Sequence, residues 1–395
     1  MRRSSVTEPV ERASFLQPAV ELRRALHNVP ELADGETRTA ALIADFLRGA
    51  GASAVVENLG GHGVAAVYEG GEEGPRVLAR CELDALPIPD VPEATGSREN
   101  AVASHKCGHD GHMAILAGLA LLLRSDPPAA GEVVLLFQPS EETGAGARRV
   151  LDDPAFARLR PDVVFALHNV PGYPLGSVLL RDGVFASTAR SLRVALHGRT
   201  AHAGEPHKGV SPASALAGII AEWPALPYAT TSLDEAAMVT VVHAVLGEPA
   251  LGTSPGEAVA IATLRAQNPE VMEKLSEACL RLATGMAAAH SLEIEHEWLE
   301  EFPCTASDPK ANSVVERAAE DAGAAVVRLE RPFSWTEDFG HFTGAFGGAM
   351  FGLGSGESTA PLHHRDYAFP DELVTLGADL FRRVVRTAGS EIWSR

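Results

Sequence analysis

Apolar residues along the first 190 positions occur in short blocks, and several of these blocks are continuous rather than alternating. Continuous apolar runs are typical of strands buried on both faces of a parallel sheet. Segments with helical spacing of apolar residues separate the runs. The pattern therefore predicts an α/β unit with a mostly parallel central sheet, with strands at 54–57, 64–68, 77–84, 132–139, 162–169 and 349–354 and helices at 17–26, 36–49, 112–124, 312–322 and from 371 onward.

The pattern changes near Ser191, where strands begin to alternate apolar and polar residues. The predicted order becomes strand, helix, strand, strand, helix, strand, which is the ferredoxin-like arrangement. Its predicted segments are 191–198, 211–222, 238–246, 257–265, 269–290 and 292–300. We therefore expect a discontinuous first domain at 1–187 and 300–395, interrupted by a second domain at 188–299.

Composition narrows the possible functions. A length of 395 residues favours two domains, and a net charge of −19 disfavours nucleic acid or an anionic membrane surface as a partner. Residues 1–5 are not followed by an apolar stretch, so we expect no signal peptide. Four widely separated cysteines fit a reducing cytoplasm better than a disulfide framework. They are Cys81, Cys107, Cys279 and Cys304.

Polar residues suited to metal binding or catalysis follow several predicted strands where those strands end. They are, in chain order, Asp84, Glu141, Glu142, His168 and one of His363 or His364. The segment Cys-Gly-His-Asp-Gly-His, which begins at Cys107 and includes His109, leads into a predicted buried helix. Ligands bind at the carboxyl edge of open α/β sheets, so we expect these side chains to form one site.

Such a site has more ligands than the roughly four that a single tetrahedral zinc takes. Thiolate, imidazole and carboxylate groups instead suit two divalent transition-metal ions, which could be Mn, Zn, Co or Ni. Glu141 and Glu142 are neighbours at a predicted strand end, so we expect their side chains to point to opposite sides. One would then bind metal while the other carries a proton.

The ordered motifs resemble the di-metal aminoacylase/carboxypeptidase family. Within it, they are most similar to the branch of hippurate hydrolases, N-acyl-amino-acid amidohydrolases and auxin-conjugate hydrolases. The resemblance spans nearly the whole chain. Its motifs lie at 26–32, at 80–87 (Arg-Cys-Glu-Leu-Asp-Ala-Leu-Pro), at 107–112, at 137–142 (Phe-Gln-Pro-Ser-Glu-Glu), at 166–169, at 197–209, at 337–339 and at 362–369.

This resemblance implies specific roles. The implied metal ligands are Cys107 as the bridge, His109, Glu142, His168 and His363. Glu141 would be the general base, His202 would stabilise the oxyanion, and Asp84 and Glu82 would support the site. The family also implies a zinc-peptidase-like catalytic domain, with the inserted domain acting as a lid and joining subunits into a homodimer or higher homo-oligomer.

Two departures from the family pattern concern the strand motif and the lid. Glu82 stands where this branch usually has Asp, and the turn at 252–255 reads Gly-Thr-Ser-Pro instead of Asn-Val-Ile-Pro. We expect hydrolysis of an N-acyl amino acid or a similar small amide. The alternatives are cleavage of another C–N bond (aryl amine or carbamoyl), a metal-independent cysteine hydrolase with Cys107 as nucleophile, and a small-molecule-binding protein without turnover.

Overall fold

The computed structural model describes residues 9–91, 102–391 and 393, with side chains described from residue 14. Residues 1–5, on which the signal-peptide expectation rests, lie outside this part of the chain. Among the described helices, none is both long and apolar enough to cross a membrane.

The strands, within the described residues, are β1 (Ala54–Leu59), β2 (Gly63–Glu69), β3 (Glu72–Glu82), β4 (Ala130–Gln138), β5 (Val163–Val170), β6 (Val178–Leu180), β7 (Gly183–Ala186), β8 (Thr188–His197), β9 (Ala201–His202), β10 (Ala237–Leu246), β11 (Thr253–Ser254), β12 (Glu257–Ala266), β13 (Glu293–Phe302), β14 (Thr305–Ser307), β15 (Val326–Arg328) and β16 (Gly348–Gly354).

The α-helices are α1 (Pro9–His27), α2 (Thr37–Gly49), α3 (His109–Ser125), α4 (Gly146–Asp152), α5 (Ala213–Glu222), α6 (Leu226–Thr230), α7 (Pro269–Ala289), α8 (Pro309–Ala322), α9 (Gly340–Phe346) and α10 (Glu372–Gly389). Short 3-10 helices cover Glu141–Thr143, Pro154–Arg158, Pro206–Lys208 and Trp223–Ala225. Two compact units result. The first is Met1–Phe185, Thr305–Arg331 and Asp338–Arg395, and the second is Ala186–Cys304 and Pro332–Glu337.

The first unit contains an eight-stranded sheet in the order β1-β2-β4-β3-β5-β16-β6-β15. Its central pairs, β4 with β3, β3 with β5 and β5 with β16, are parallel, whereas β1, β2 and β4 pair antiparallel. Every residue of β5 is buried, and so is nearly every residue of α3, which packs against α1 and α10. The predicted α/β class with a mostly parallel sheet is therefore confirmed.

The boundaries differ from the predicted ones where local hydrogen bonds extend an element. Helix α8 starts at Pro309 instead of residue 312, because the Asp308 carboxylate caps it by accepting from the backbone N–H groups of Lys310 and Ala311. Strand β3 starts at Glu72 instead of residue 77. There it pairs with Ala130 of β4.

A buried ion network joins β3, β4 and the segment that precedes α9. The fully buried Arg80 guanidinium pairs with Glu82 and with Asp338, at 2.6 Å, and donates to Gln138 at 2.8 Å. Gln138 also donates to Asp338, which accepts a further hydrogen bond from the Ala147 backbone. The positive charge of Arg80 thus compensates two carboxylates that have no access to solvent.

The longer elements of the second unit follow the order β8, α5, β10, β12, α7 and β13, and the short elements β9, α6 and β11 lie between them in the chain. The antiparallel sheet of this unit runs β10-β12-β8-β13. The side chains of Leu192, Val194 and Leu196 on β8 belong to a buried apolar core together with residues of α5 and α7. β10 and β13 are the two edges of this sheet.

We predict that Arg80→Met destabilises the protein by about 3–5 kcal/mol, because it leaves two buried carboxylates without their cation. The free energy of unfolding is measured on metal-free protein by urea denaturation. The matched control is Arg76→Met on the same strand. Arg76 pairs with Glu132 and is 29% exposed, so we expect a loss of about 0–1 kcal/mol. Equal losses in the two variants would contradict the account of the network.

Candidate metal centre

The loop before α3 gives Cys107 and His109 their positions. Gly108 has a φ of 92°, and a Cβ there would lie 2.6 Å from the Asn169 side-chain oxygen. Both the left-handed backbone and the close approach require glycine. The chain can therefore turn between Cys107 and His109, which is the first residue of α3.

Glu141 and Glu142 follow β4 in a 3-10 turn rather than at the strand end itself. The turn begins after Ser140, whose φ is 54°. One carboxylate oxygen of each glutamate lies 3.9 Å from His109 Nε2. The prediction that the two side chains point to opposite sides is therefore wrong, because the alternation of a strand does not apply within a 3-10 turn.

Potential ligand atoms lie within 4.8 Å of one another in several groups among the described residues. Three overlapping groups contain the predicted ligands. They are Cys107 with His109 and His168, Cys107 with Glu142 and His363, and His109 with Glu141 and Glu142. Cys107 belongs to the first two groups, and its Sγ lies 3.4 Å from His168 Nε2. The structure thus brings His363, not the neighbouring His364, into these groups.

The histidine hydrogen bonds fit metal binding. His109 Nδ1 lies 2.8 Å from the Asp84 carbonyl, and His168 Nδ1 lies 2.9 Å from the Asn169 carbonyl. Donation from Nδ1 to a carbonyl directs Nε2 of each ring towards the cluster, as in metal-bound histidines. Burial lowers the pKa of His168 to about 3 and also lowers the pKa of His363, so both rings are neutral near pH 7. Neutral imidazole is the form that binds metal.

The donor set also fits the chemistry of a transition metal. It offers a thiolate, three imidazoles and carboxylate oxygens, which suit zinc and its divalent neighbours. Cys107, His109 and His168 are buried, whereas the His363 side chain is 52% exposed. The residues present therefore fit a site for divalent transition-metal ions.

Asp84 lies behind the ligand atoms. It is fully buried, and its Oδ2 accepts a hydrogen bond of 2.9 Å from the Glu142 backbone. Burial raises the pKa of its carboxyl to about 6. The observed contacts of Asp84 fix the turn that carries Glu141 and Glu142, and its carbonyl orients His109.

A chain of buried hydrogen bonds also supports the site, and Glu82 is the only one of its members for which the sequence predicts a supporting role. Glu82 lies 2.7 Å from His112 Nδ1, and His112 Nε2 lies 2.5 Å from the Asn169 side-chain oxygen. The Asn169 amide in turn donates to the Tyr367 hydroxyl. Burial alone raises the pKa of Glu82, but Arg80 and His112 hold it well below its usual value. The only sequence signal is the spacing of three residues between His109 and His112 on one helix face.

His202 lies in the second unit, on the short strand β9, which pairs with β11. Its Nδ1 accepts a hydrogen bond of 3.0 Å from the Gly204 backbone. Ala203 donates to the Gly252 carbonyl at 2.9 Å, so the turn at 252–255 is a neighbour of His202 within this unit. A Cβ at Gly252 would meet nothing within 4 Å.

Residues 78–387 match the model of Peptidase family M20/M25/M40. The chain belongs to this family. The match covers most of the chain, and it confirms the resemblance inferred from the ordered motifs.

Proteins similar to this M20 chain include two curated bacterial deacetylases. The N-acetyldiaminopimelate deacetylase of Exiguobacterium sibiricum is 29% identical, over 88% of this chain and 93% of its own length. The N-acetyl-L-cysteine deacetylase of Bacillus subtilis is 30% identical, over 95% of this chain and 89% of its own length.

The fold of this M20 chain also has solved counterparts. The Bacillus subtilis YxeP protein, a dinuclear metal binding peptidase from the M20 family, superposes with a TM-score of 0.81. It is 25% identical, with 96% of this chain and 99% of that chain covered. An aminobenzoyl-glutamate utilization protein from Klebsiella pneumoniae, at 21% identity, covers 98% of this chain and 99% of its own with a TM-score of 0.75, and so shares the fold.

Proposed function

We propose that this chain is a metal-dependent amidohydrolase that cleaves the amide bond of N-acyl amino acids, with two divalent transition-metal ions at the Cys107 cluster. The proposed ligands are Cys107, His109, Glu142, His168 and His363. The observation that carries this proposal is the convergence of one thiol, three imidazoles and a carboxylate at one sheet edge. The names of the two deacetylase relatives support the substrate class.

The proposed mechanism assigns proton transfer to Glu141 and metal binding to Glu142. When bound, the metal pair would polarise the scissile carbonyl and activate a water. Glu141 is buried beside His109 and is proposed to accept the proton of the attacking water and deliver it to the leaving amine. Glu142 is instead assigned to metal binding because its carboxylate shares a group with Cys107 and His363.

Three further assignments complete the proposal. Asp84 would hold the Glu142 turn, through the hydrogen bond it accepts there. His202 would stabilise the developing oxyanion, with 188–299 acting as a lid domain. The four free cysteines support a reducing compartment such as the cytoplasm.

A cysteine hydrolase is the second candidate, because Cys107 Sγ lies 3.4 Å from His168 Nε2. A nucleophilic cysteine needs such a base. Thiolate attack would not require metal, and it would be abolished by thiol alkylation. The metal mechanism requires metal, and bound metal would shield Cys107 from alkylation.

The test is amine release by protein loaded with Mn or Zn, beside a chelated sample, from a panel of N-acyl amino acids, carbamoyl compounds and amides of aryl amines. We expect turnover that chelation abolishes and added metal restores. Turnover that survives chelation but is lost on alkylation would favour the cysteine mechanism. Turnover only on carbamoyl or aryl-amine substrates would favour another C–N bond, and metal binding without any turnover would favour a binding protein.

We predict that Glu141→Gln lowers kcat by about 10²–10⁴-fold, the usual contribution of a general base, while the protein still binds two metal ions. The matched variant is Glu142→Gln on the adjacent residue, which we expect to release metal. Both quantities come from steady-state kinetics and from metal analysis of the purified variants. Metal loss in Glu141→Gln with retention in Glu142→Gln would reverse the assignment.

We also propose that two copies of the chain associate through β10. This edge strand contains no Asp, Glu, Lys or Arg, and it exposes Met238, Val242, Val245 and Leu246. Unprotected apolar edges pair readily with another strand. The other edge, β13, is rich in glutamate, so two copies would repel each other there. A second copy paired strand to strand through β10 therefore fits best.

We predict that Val242→Lys shifts the protein from dimer to monomer, because a lysine on each copy brings like charges together at the paired edge. The molar mass in solution is measured by light scattering after size-exclusion chromatography. The control, Glu295→Lys on the exposed part of β13, should remain dimeric. A wild-type monomer, or a dimer unaffected by Val242→Lys, would contradict this interface.

A further inference from the structure

Lys106 is a fully buried cation that the proposed mechanism does not use. It directly precedes Cys107 in the loop that leads into α3. Its Nζ forms an ion pair with Asp90 and donates a hydrogen bond of 3.0 Å to the Tyr367 carbonyl. Burying an ammonium costs free energy even when a carboxylate compensates it, and an apolar side chain would often serve stability as well. Its position suggests a role beyond stability.

The Asp90 carboxylate is itself held from two sides. Its Oδ2 lies 3.1 Å from His27 Nε2, and its Oδ1 accepts a hydrogen bond of 2.9 Å from the Val91 backbone. His27 in turn lies 2.8 Å from the buried Asp110 of the metal loop. These contacts hold the Asp90 carboxylate in place, and its ion pair with Lys106 therefore fixes the position of the ammonium.

The backbone of Lys106 contacts His363 directly. Its carbonyl accepts a hydrogen bond of 2.9 Å from the His363 backbone N–H. His363 has a φ of 63°, a left-handed conformation that is unfavourable for a residue with a side chain. Half of its side chain is exposed, so packing alone does not hold it. The surrounding hydrogen bonds must therefore maintain this conformation.

Lys106 forms two hydrogen bonds with the loop at 363–367. Its backbone carbonyl accepts from the His363 N–H, and its ammonium donates to the Tyr367 carbonyl. The Tyr367 hydroxyl accepts a third hydrogen bond, from Asn169. The group of Cys107, His109 and His168 includes no residue of this loop, whereas the group of Cys107, Glu142 and His363 does.

We propose that Lys106 is a positioning residue that holds His363 in place for the ion bound by Cys107, Glu142 and His363. The inference rests on the proposed di-metal function. Loss of the ammonium should release the Tyr367 end of the loop and lower the affinity for that ion, while the affinity for the other ion stays unchanged. Supporting groups of this kind typically contribute about 10–100-fold to metal affinity.

The test titrates metal-free protein with Zn²⁺ in competition with a chromophoric chelator, so it needs no substrate. Wild type should bind two ions. Lys106→Met should bind one of them about 10–100-fold more weakly and the other unchanged. In a His363→Ala background, Lys106→Met should cause no further loss, because the residue it positions is absent. Lys310→Met, which removes a partly exposed lysine on α8, is the control and should match wild type.

Unchanged affinities in Lys106→Met, equal weakening of both ions, or a further loss in the His363→Ala background would overturn the role of Lys106. Wild type that binds fewer than two ions would overturn the di-metal proposal itself, which separates the two failures. If Lys106→Met does not fold, Asp90→Asn takes its place. It keeps the ammonium, removes its carboxylate partner and should weaken the same ion.

Discussion

The compensation of buried carboxylates by Arg80 is the interaction on which the site depends. Arg80 sits on β3, a central strand, and neutralises Glu82 and Asp338, which have no access to water. Glu82 then binds His112, and His112 contacts Asn169, the neighbour of His168. A sheet interior that is otherwise apolar can thus support a polar cluster at its edge, because each buried charge in this chain of contacts has a counter-charge or a hydrogen bond.

The sequence predicted the features that follow from the periodicity of apolar residues and from the position of polar residues at strand ends. Continuous apolar runs predicted the buried strands. Residues of metal-ligand type at the ends of these strands predicted a site at the carboxyl edge of the sheet. The order of motifs pointed to the family, which the comparison confirmed. The inserted second domain at 188–299, which a change in pattern indicates, stays a prediction.

The remaining features depend on contacts between residues far apart in the chain. Arg80 and Asp338 are 258 positions apart, and neither has a local pattern that marks it as buried. The 3-10 turn at Glu141 depends on the left-handed backbone of Ser140 and on the Asp84 carboxylate, so strand alternation gave the wrong orientation. Lys106 resembles an ordinary surface lysine in the sequence, and only tertiary packing reveals its buried pair with Asp90.

The central proposal is that two metal ions bind at the carboxyl edge of the sheet and share Cys107 as a ligand. Crystals loaded with Zn²⁺ and measured at the zinc absorption edge test it directly. The account predicts two anomalous peaks about 3.5–4 Å apart, both next to the Cys107 sulfur, one beside His109 and His168 and the other beside Glu142 and His363. A single peak, or peaks away from Cys107, would contradict it.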